Sequence, residues 1–496
     1  MSEHQSSYRQ IAKATSIFGG LQVYQILLSV IRSKFVAVLL GTQGMGISGL
    51  LTSVTTLITS LTSLGLGMSA VRNVSDANAS GDTQLMAEVV TTLRKLVWIT
   101  GILGGLLTFV FASTLSQFSF GNHDFVWAFR WLSVTFLLAG ISSGQFVMLQ
   151  GMRKLKELAG ANALGATLGL LVSIPLYYRY GTQGIVPALV VTSVTSLLLA
   201  LYFGRKIKVE NVKLPLSLMW THGKEMIRMG FLFSLSGLIA ATAAYLIRMY
   251  IGQHGTLADV GLYTAGFAII NTYVGMIFTA MSTDYYPRLS AVAQHSEKVN
   301  LLVNQQLEMA ILALGPFLIF FMITLKYAVI ILYSSEFLDV IPMVQWAVIA
   351  IFFKALTWGM GFLLLAKGAS QFFFYNELIA NSYTLVLNIA GYHWYGLEGL
   401  GISFLVSYLL SVAQNFILLK YLYQFSFSIY LYKLFIIQMI SASFCFLLIR
   451  NMGDNNWIYF ITILILFLIS FFSYIELNKK INLSGHISKL FSKRQP

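Results

Sequence analysis

The chain has 496 residues, of which 57% are hydrophobic and only 10% are charged, and its mean hydropathy is +0.75. A soluble protein carries about 25% charged residues, so this composition excludes a water-soluble globular protein and predicts an integral membrane protein. The formal net charge is +14, and Cys445 is the single cysteine. An intramolecular disulfide and a cysteine metal cluster are therefore excluded.

Apolar runs of about 20 residues follow one another along the chain, and each is long enough to cross a bilayer as a helix. The first run is long and contains a Gly-Gly pair, and no small-residue cleavage site follows it, so we interpret it as an uncleaved span. We predict about fourteen spans, at 12–39, 47–70, 93–116, 126–149, 157–178, 184–202, 229–252, 261–283, 307–332, 342–366, 374–392, 399–419, 432–449 and 457–475.

The positions of the basic residues predict the orientation of these spans. The loops after even-numbered spans and the two ends of the chain hold 24 of the 32 Lys and Arg residues, whereas the loops after odd-numbered spans hold Arg179 and Arg450. The positive-inside rule therefore predicts that both termini are cytoplasmic. Since topology and contact with anionic lipid headgroups account for the basic charge, no nucleic-acid partner is expected.

An internal repeat divides the chain. The stretch YYRYGTQG from Tyr177 matches YHWYGLEG from Tyr392, and Gly46/Gly261, Gly144/Gly359 and Leu149/Leu364 are separated by the same distance along the chain, which we term the repeat spacing. This spacing covers six spans, an even number, so it predicts two parallel, pseudo-symmetric six-helix lobes. The predicted organisation is an N-lobe at 1–202, a basic cytoplasmic linker at 203–228, a C-lobe at 229–419, two extra spans at 420–475 and a basic cytoplasmic tail at 476–496.

Two arginines inside spans occupy matching places in the repeat. Arg32 lies in SVIRSKF and Arg248 in AYLIRMY, and their separation agrees with the repeat spacing to within one position. A charge inside the bilayer is costly and usually lines a cavity, so we predict that both arginines face a substrate. For Arg248, snorkelling past Gly252 to the interface is the open alternative. Lys354 lies in the middle of its span and is predicted to be functional as well.

The remaining charges in the spans set the expected sign of the substrate. Arg130 and Lys326 are interpreted as interface residues, and no Asp or Glu lies at mid-span. The predicted cavity is therefore cationic and should take an anion, and the planar donors of arginine suit phosphate. Weaker cavity candidates, for which snorkelling or core packing is the alternative, are Lys34, Tyr245, Tyr273 and Trp358.

Signals of enzyme chemistry are absent from the sequence. It contains no His/Cys/Asp cluster with metal-ligand spacing, no phosphate-binding P-loop and no Gly-x-Ser-x-Gly motif. The predicted outer loops are short and nearly uncharged, whereas a membrane glycan polymerase or ligase needs a long outer loop with active residues. We therefore expect a transporter with no catalytic residue, no metal and no cofactor.

Three stretches resemble a known family. They are AYLIRMYIGQHGTLADVGLYTAGFAI with the later YYPRLS, FFKALTWGMGFLLLAKG, and the first span leading into LLGTQGMGISGL. They are similar to Wzx-like polysaccharide and O-antigen flippases of the MATE-like multidrug/oligosaccharidyl-lipid/polysaccharide exporter superfamily, and most resemble the enterobacterial common antigen lipid-flippase branch. The resemblance covers spans 1–12.

The resemblance implies a MATE-like fold and a function. The expected function is to flip undecaprenyl-pyrophosphate-linked oligosaccharide from the inner to the outer leaflet of the bacterial cytoplasmic membrane, by alternating access, for surface polysaccharide synthesis. Arg32 and Arg248 would contact the pyrophosphate from opposite lobes, and Lys354 would keep the cavity positive or contact glycan. The expected partners are this lipid, the surrounding membrane lipids and the polysaccharide polymerase machinery.

Two alternatives within the superfamily remain open. A peptidoglycan lipid-precursor flippase fits the same sequence features. A multidrug antiporter exports cations, for which a basic cavity has the wrong sign. Relatives couple transport to proton or sodium gradients through an embedded acid, and its absence at mid-span leaves the coupling ion open.

Overall fold

A computed structural model describes residues 3–207, 209, 212–452 and 456–481, and nearly all of them are helical. An apolar membrane segment must satisfy every backbone N–H and C=O internally, and a helix does so. The α-helices are α1 (Glu3–Thr62), α2 (Leu66–Ser80), α3 (Thr83–Val110), α4 (Ala112–Phe120), α5 (Val126–Gly151), α6 (Leu155–Tyr180), α7 (Ile185–Gly204), α8 (Leu216–His254), α9 (Leu257–Ala268), α10 (Gly275–Ala291), α11 (Ser296–Leu332), α12 (Ile341–Ala366), α13 (Ser370–Tyr423), α14 (Ile429–Met452) and α15 (Asn456–Ile481).

Eleven helical segments within the described ranges are long and apolar enough to cross a membrane. Three of them, Gly20–Thr62, Leu155–Gly204 and Ser370–Tyr423, have 43, 50 and 54 residues, and one crossing takes only about 20. Each of the three is interrupted, at Gly41, at the 3₁₀ turn Gly181–Gly184 and at Gly396 respectively. Each therefore supplies two spans. The predicted all-α membrane fold is confirmed, and dividing these three segments gives fourteen candidate spans within the described residues.

Two predicted spans differ in detail from the structure. The second was predicted to reach residue 70, but its helix ends at Thr62 and the chain turns at Leu64 and Gly65, which have φ of 49° and 67°. A β-carbon at Gly65 would lie 2.1 Å from the carbonyl oxygen of Gly230, so this close approach requires glycine. The eighth span is not one helix, because a π-helical segment, Ile269–Val274, joins α9 to α10.

The repeated sequence motif adopts the same backbone conformation in both copies. Gly181 has φ 55° and ψ −134°, and Gly396 has φ 58° and ψ −141°. Three residues on, Gly184 and Gly399 each approach the carbonyl of the residue eight positions earlier, with distances of 2.4 and 1.9 Å from the β-carbon position. The shared conformation and contacts confirm that the motif marks equivalent helix breaks.

The chain divides into two compact units, which are described separately below. The first unit comprises Met1–Thr264 with Leu332–Glu336, and the second comprises Ala265–Ile331 with Phe337–Pro496. The predicted lobe boundaries, 1–202 and 229–419, are a different division and stay a prediction. Residues 208, 210 and 211 of the predicted linker and 482–496 of the predicted tail lie outside the described residues.

Within the second unit, α14 and α15 are attached to earlier helices by polar contacts near both of their ends. Lys480 of α15 forms an ion pair with Glu308 of α11, with Nζ and Oε2 2.5 Å apart, and the hydroxyl of Ser428 donates to the same carboxylate at 3.0 Å. Near the other ends of the helices, Arg450 of α14 pairs with Glu398 at 2.5 Å.

The Arg450–Glu398 pair is joined by an aromatic side chain from α12. The indole Nε1 of Trp346 donates to Glu398 at 2.8 Å, and the Arg450 guanidinium lies 5.4 Å from the Trp346 ring centroid. Between the two ion pairs, Gln438 of α14 donates to Ser473 of α15 at 2.8 Å. These contacts fix the last two spans against the rest of the second unit.

We expect Glu308→Gln to destabilise the protein, because it removes the charge that pairs with Lys480 while keeping the shape of the side chain. The Glu308 side chain is only 7% exposed, and a hydrogen bond to a charged group contributes about 1.5–3 kcal/mol. Thermal unfolding in detergent measures the change. Glu297→Gln, at an exposed position of the same helix, is the control, and an equal midpoint for the two variants contradicts this role of the ion pair.

Candidate functional site

The site is organised by a contact between two backbones. Gly46, in the second half of α1, and Gly261, in α9, both belong to the first unit. A β-carbon at Gly46 would lie 1.9 Å from the carbonyl oxygen of Leu257, and one at Gly261 would lie 1.9 Å from that of Thr42. Thr42 and Leu257 are themselves separated by the repeat spacing, so the contact is reciprocal between the two copies. It therefore lies on the local pseudo-two-fold axis between the copies.

A cavity of about 380 Å³ lies beside this contact and is lined by helix faces from both copies of the repeat. Gly49 and Thr264, another pair at the repeat spacing, face each other across its wall, with the Gly49 β-carbon position 2.6 Å from the Thr264 hydroxyl. None of the described residues that line the cavity is acidic. Its polar lining includes Arg32, Ser33, Ser48, Thr52, Arg248 and Thr264.

Arg248 is held in the cavity by its own helix and by α9. Its Nη1 donates to the carbonyl of Ala244 at 3.0 Å, and its Nε lies 3.4 Å from the Thr264 hydroxyl. The guanidinium also lies 5.3 Å from the centroid of the Tyr263 ring. Ala244 is one turn N-terminal to Arg248, so the side chain points away from Gly252. This geometry favours the cavity over snorkelling toward Gly252.

Arg32 lines the same cavity and a second one. The second cavity has a volume of about 320 Å³ and lies between α1, α6 and α7 of the first unit. Among the described residues, none forms a hydrogen bond or an ion pair with the Arg32 guanidinium. The hydroxyl of Tyr177, in the repeat motif, lies within electrostatic range of this guanidinium. The donors of Arg32 are therefore available to a ligand in either cavity.

Two guanidinium groups that share a cavity without a carboxylate make it electropositive. Placing charges away from water is unfavourable unless they are paired, and here no described acid pairs with either arginine. An anion that enters supplies the missing counter-charge. Because guanidinium groups present planar donor forks, they suit the oxygens of phosphate in particular.

Lys354 lies in the second unit, and its surroundings were not predicted. Its Nζ donates to the side-chain carbonyl of Asn271 at 2.8 Å and lies 5.8 Å from the ring centroids of Phe404 and Tyr408. Asn271 belongs to the π-helical segment, and π segments are frequent at functional sites. The half-buried ammonium is therefore stabilised by an amide and two aromatic faces.

Three of the four weaker candidates contact other residues of the protein. Lys34 donates to the carbonyl of Tyr333 at 2.5 Å, just past the end of α11, where a cation is favourable. Tyr245 is buried, and its hydroxyl lies 3.0 Å from that of Ser119. Trp358 packs against Phe278, Tyr285 and Phe362. The side chain of Tyr273 lies outside the described residues.

Sequence reasoning missed the hydroxyl and amide groups that complete the site. Thr52 and Thr56 are one helical turn apart and both line the central cavity, and that spacing is the signal that would have found them. Thr264 was detectable as the repeat partner of Gly49. Neither helical spacing nor the repeat points to Asn271 in the sequence, because its contact with Lys354 depends on the π-helical segment.

A protein-family model described as "Polysaccharide biosynthesis protein" matches residues 35–342, which is more than half of the chain. This match covers Arg248 and the glycine contact and begins three positions after Arg32. The chain belongs to the polysaccharide biosynthesis protein family.

The relatives compared with this chain share little sequence identity with it. The Lipid III flippases of Escherichia coli (strain K12) and Shigella flexneri are each 22% identical over 418 residues, covering 80% of this chain and 95% of theirs. Among solved structures, the Lipid II flippase MurJ in an inward closed conformation has a TM-score of 0.68 and 11% identity, covering 95% of this chain and 99% of that one. An inward-facing MATE family transporter of the MOP superfamily has a TM-score of 0.67 and 16% identity, covering 81% of this chain and 96% of that one. These structures show that the chain has the MATE-like fold.

We expect Gly46→Ala and Gly261→Ala each to disrupt the backbone contact, because a methyl group cannot occupy a position 1.9 Å from a carbonyl oxygen. Overpacking of this kind costs about 1–3 kcal/mol or more. Thermal unfolding in detergent measures the loss of stability. Gly237→Ala, in α8, is the matched control, since nothing lies within 4 Å of its β-carbon position. If Gly46→Ala unfolds at the same temperature as Gly237→Ala, the contact does not organise the site.

Proposed function

We propose that this protein flips a lipid-linked oligosaccharide across the bacterial cytoplasmic membrane, with the pyrophosphate of the lipid held between Arg32 and Arg248. The observation that carries the proposal is that these two arginines, one from each copy of the repeat, line one cavity without a described acid. Membership of the polysaccharide biosynthesis protein family supports a carbohydrate-bearing substrate. The relatives named as Lipid III flippases support a lipid carrier.

The chemistry of the cavity fits the head of a polyprenyl pyrophosphate. A pyrophosphate presents several anionic oxygens, and two guanidinium groups provide donor forks for them. Thr264, Ser33 and Ser48 add hydroxyl groups around the arginines. A cavity of about 380 Å³ lies within the ~300–1,000 Å³ that small-molecule sites commonly occupy. The undecaprenyl chain would extend from this site into the bilayer.

Transport would proceed by alternating access of the two repeat-related halves, with both termini in the cytoplasm. In this scheme Lys354 supports a positive potential or contacts glycan, and Asn271 orients its ammonium. Flipping serves surface polysaccharide synthesis, including O-antigen-type polymers, and the polymerase machinery that uses the flipped lipid is the proposed partner. The coupling ion stays open.

The peptidoglycan lipid-precursor flippase is the second candidate, because its substrate presents the same polyprenyl pyrophosphate head to the two arginines. The multidrug antiporter is disfavoured, since a cavity lined by two guanidinium groups and by no described acid repels cationic drugs. Lipid analysis of a deletion strain distinguishes the two flippases. Accumulation of cytoplasm-facing lipid-linked oligosaccharide supports this proposal, and accumulation of the peptidoglycan precursor supports the second.

We expect Arg32→Ala and Arg248→Ala each to abolish restoration of surface polysaccharide in a strain that lacks the native gene. Loss of one charged donor pair costs about 1.5–3 kcal/mol, which weakens binding roughly 10- to 150-fold. Arg→Lys variants at the same positions keep the charge but lose the donor fork, so a smaller loss is expected.

The matched control for these variants is Arg179→Ala. Arg179 is an exposed arginine at the end of α6 and does not line either cavity. Immunoblotting of membranes normalises activity to the amount of protein. If Arg32→Ala and Arg248→Ala restore polysaccharide as well as Arg179→Ala at equal protein levels, the assignment of the pyrophosphate site is wrong.

A further inference from the structure

The second cavity at Arg32 is polar although it lies within a bundle of membrane helices. Gln25, Ser29 and Arg32 form one stripe along α1 and line it together with Asn162 of α6 and Thr192 and Ser196 of α7. These helices all belong to the first unit. A polar cavity at membrane depth is costly unless water or a polar ligand fills it, so this lining calls for a ligand.

Some of these polar groups have hydrogen-bond partners in the protein, and others have none among the described residues. Thr192 donates to the carbonyl of Ala188 at 2.7 Å, and the Asn162 amide nitrogen donates to that of Leu158 at 3.0 Å. The side chains of Gln25, Ser29 and Ser196 form no hydrogen bond with any other described residue. The cavity therefore offers amide and hydroxyl groups that both donate and accept.

The polar and charged side chains that line this second cavity favour one class of ligand over others. A cation is disfavoured because no described lining residue is acidic and Arg32 forms part of the wall. A lipid chain is disfavoured because it would leave the amide and hydroxyl groups unpaired. A sugar ring matches, since its hydroxyl groups donate and accept while its C–H face can pack on Leu28 and Leu170. The volume of about 320 Å³ lies at the small end of the ~300–1,000 Å³ range of ligand sites.

We propose that the cavity between α1, α6 and α7 is a carbohydrate subsite, which binds a sugar residue of the lipid-linked oligosaccharide next to the pyrophosphate. Arg32 lines both cavities, so one guanidinium is adjacent to the phosphate and to the sugar joined to it. This inference rests on the proposed function, because it takes the central cavity as the pyrophosphate site. It assigns recognition of the sugar joined to the pyrophosphate to the first unit.

The test compares two lipid probes, polyprenyl pyrophosphate alone and the same lipid carrying one hexose. Binding to the full-length protein in detergent is measured by native mass spectrometry. Two hydrogen bonds to the sugar contribute about 1–3 kcal/mol, so the wild type should bind the glycosylated lipid roughly 5- to 150-fold more tightly. Ser29→Leu and Ser196→Leu fill the cavity from two different helices. Each should remove this difference and leave the affinity for the bare lipid within about twofold.

Controls separate the possible outcomes. Ser441→Leu, in α14 of the second unit, makes the same substitution away from the cavity and should keep the wild-type preference. The subsite is ruled out if the wild type binds both lipids equally, if both filled variants keep the preference, or if they weaken both lipids alike. Failure of the proposed function has a different signature. In that case the bare polyprenyl pyrophosphate does not bind, or it binds equally to the wild type and to Arg248→Ala.

Discussion

The geometry of the central cavity depends on the backbone contact between Gly46 and Gly261. In a membrane, helices are not driven together by the hydrophobic effect, so close packing of small residues and weak backbone interactions supply much of the attraction. At this contact the carbonyls of Thr42 and Leu257 approach the partner glycine so closely that no side chain fits. Because the contact is reciprocal, it fixes a local symmetry axis, and Gly49 and Thr264 lie on the cavity wall one turn beyond it.

This symmetry explains how two arginines distant in the sequence come to line one cavity. Arg32 lies in the first half of α1, before Gly46, and Arg248 lies in α8, the helix before the one that contains Gly261. A lone arginine in a membrane helix commonly snorkels to the interface, but Arg248 is directed to Ala244 and Thr264 instead. The two positive charges repel each other, and no described acid relieves the repulsion. In the proposed function both arginines line the cavity before the anion binds, which lowers the reorganisation needed on binding.

Much of this arrangement was predictable because membrane insertion constrains sequence strongly. Hydropathy located the spans, and the repeat spacing identified Gly46 and Gly261, like the two arginines, as equivalent positions. That the two glycines touch is known only from the structure. Side-chain partners were less predictable. Arg32 and Lys34 are two residues apart, and this spacing indicates that they lie on different helix faces. The spacing does not indicate the partner of Lys34, which is the carbonyl of Tyr333 in a distant segment of the chain.

The polar cavity between α1, α6 and α7 was also not predictable, for a physical reason. Serine, threonine and asparagine in membrane helices often bond to a carbonyl of their own helix, as Thr192 does to that of Ala188. Their presence in a span therefore does not reveal whether they face lipid, a neighbouring helix or a ligand. The Lys354–Asn271 contact depends on a π-helical segment, and helical periodicity does not indicate where such a segment occurs.

The central claim is that Arg32 and Arg248 bind one pyrophosphate between them. The most direct measurement is a cryo-electron microscopy structure of the protein with polyprenyl pyrophosphate bound. We expect density for the phosphates in the central cavity, with oxygens within about 3.2 Å of both guanidinium groups. Pyrophosphate density that contacts neither arginine, or that lies outside this cavity, would contradict the account.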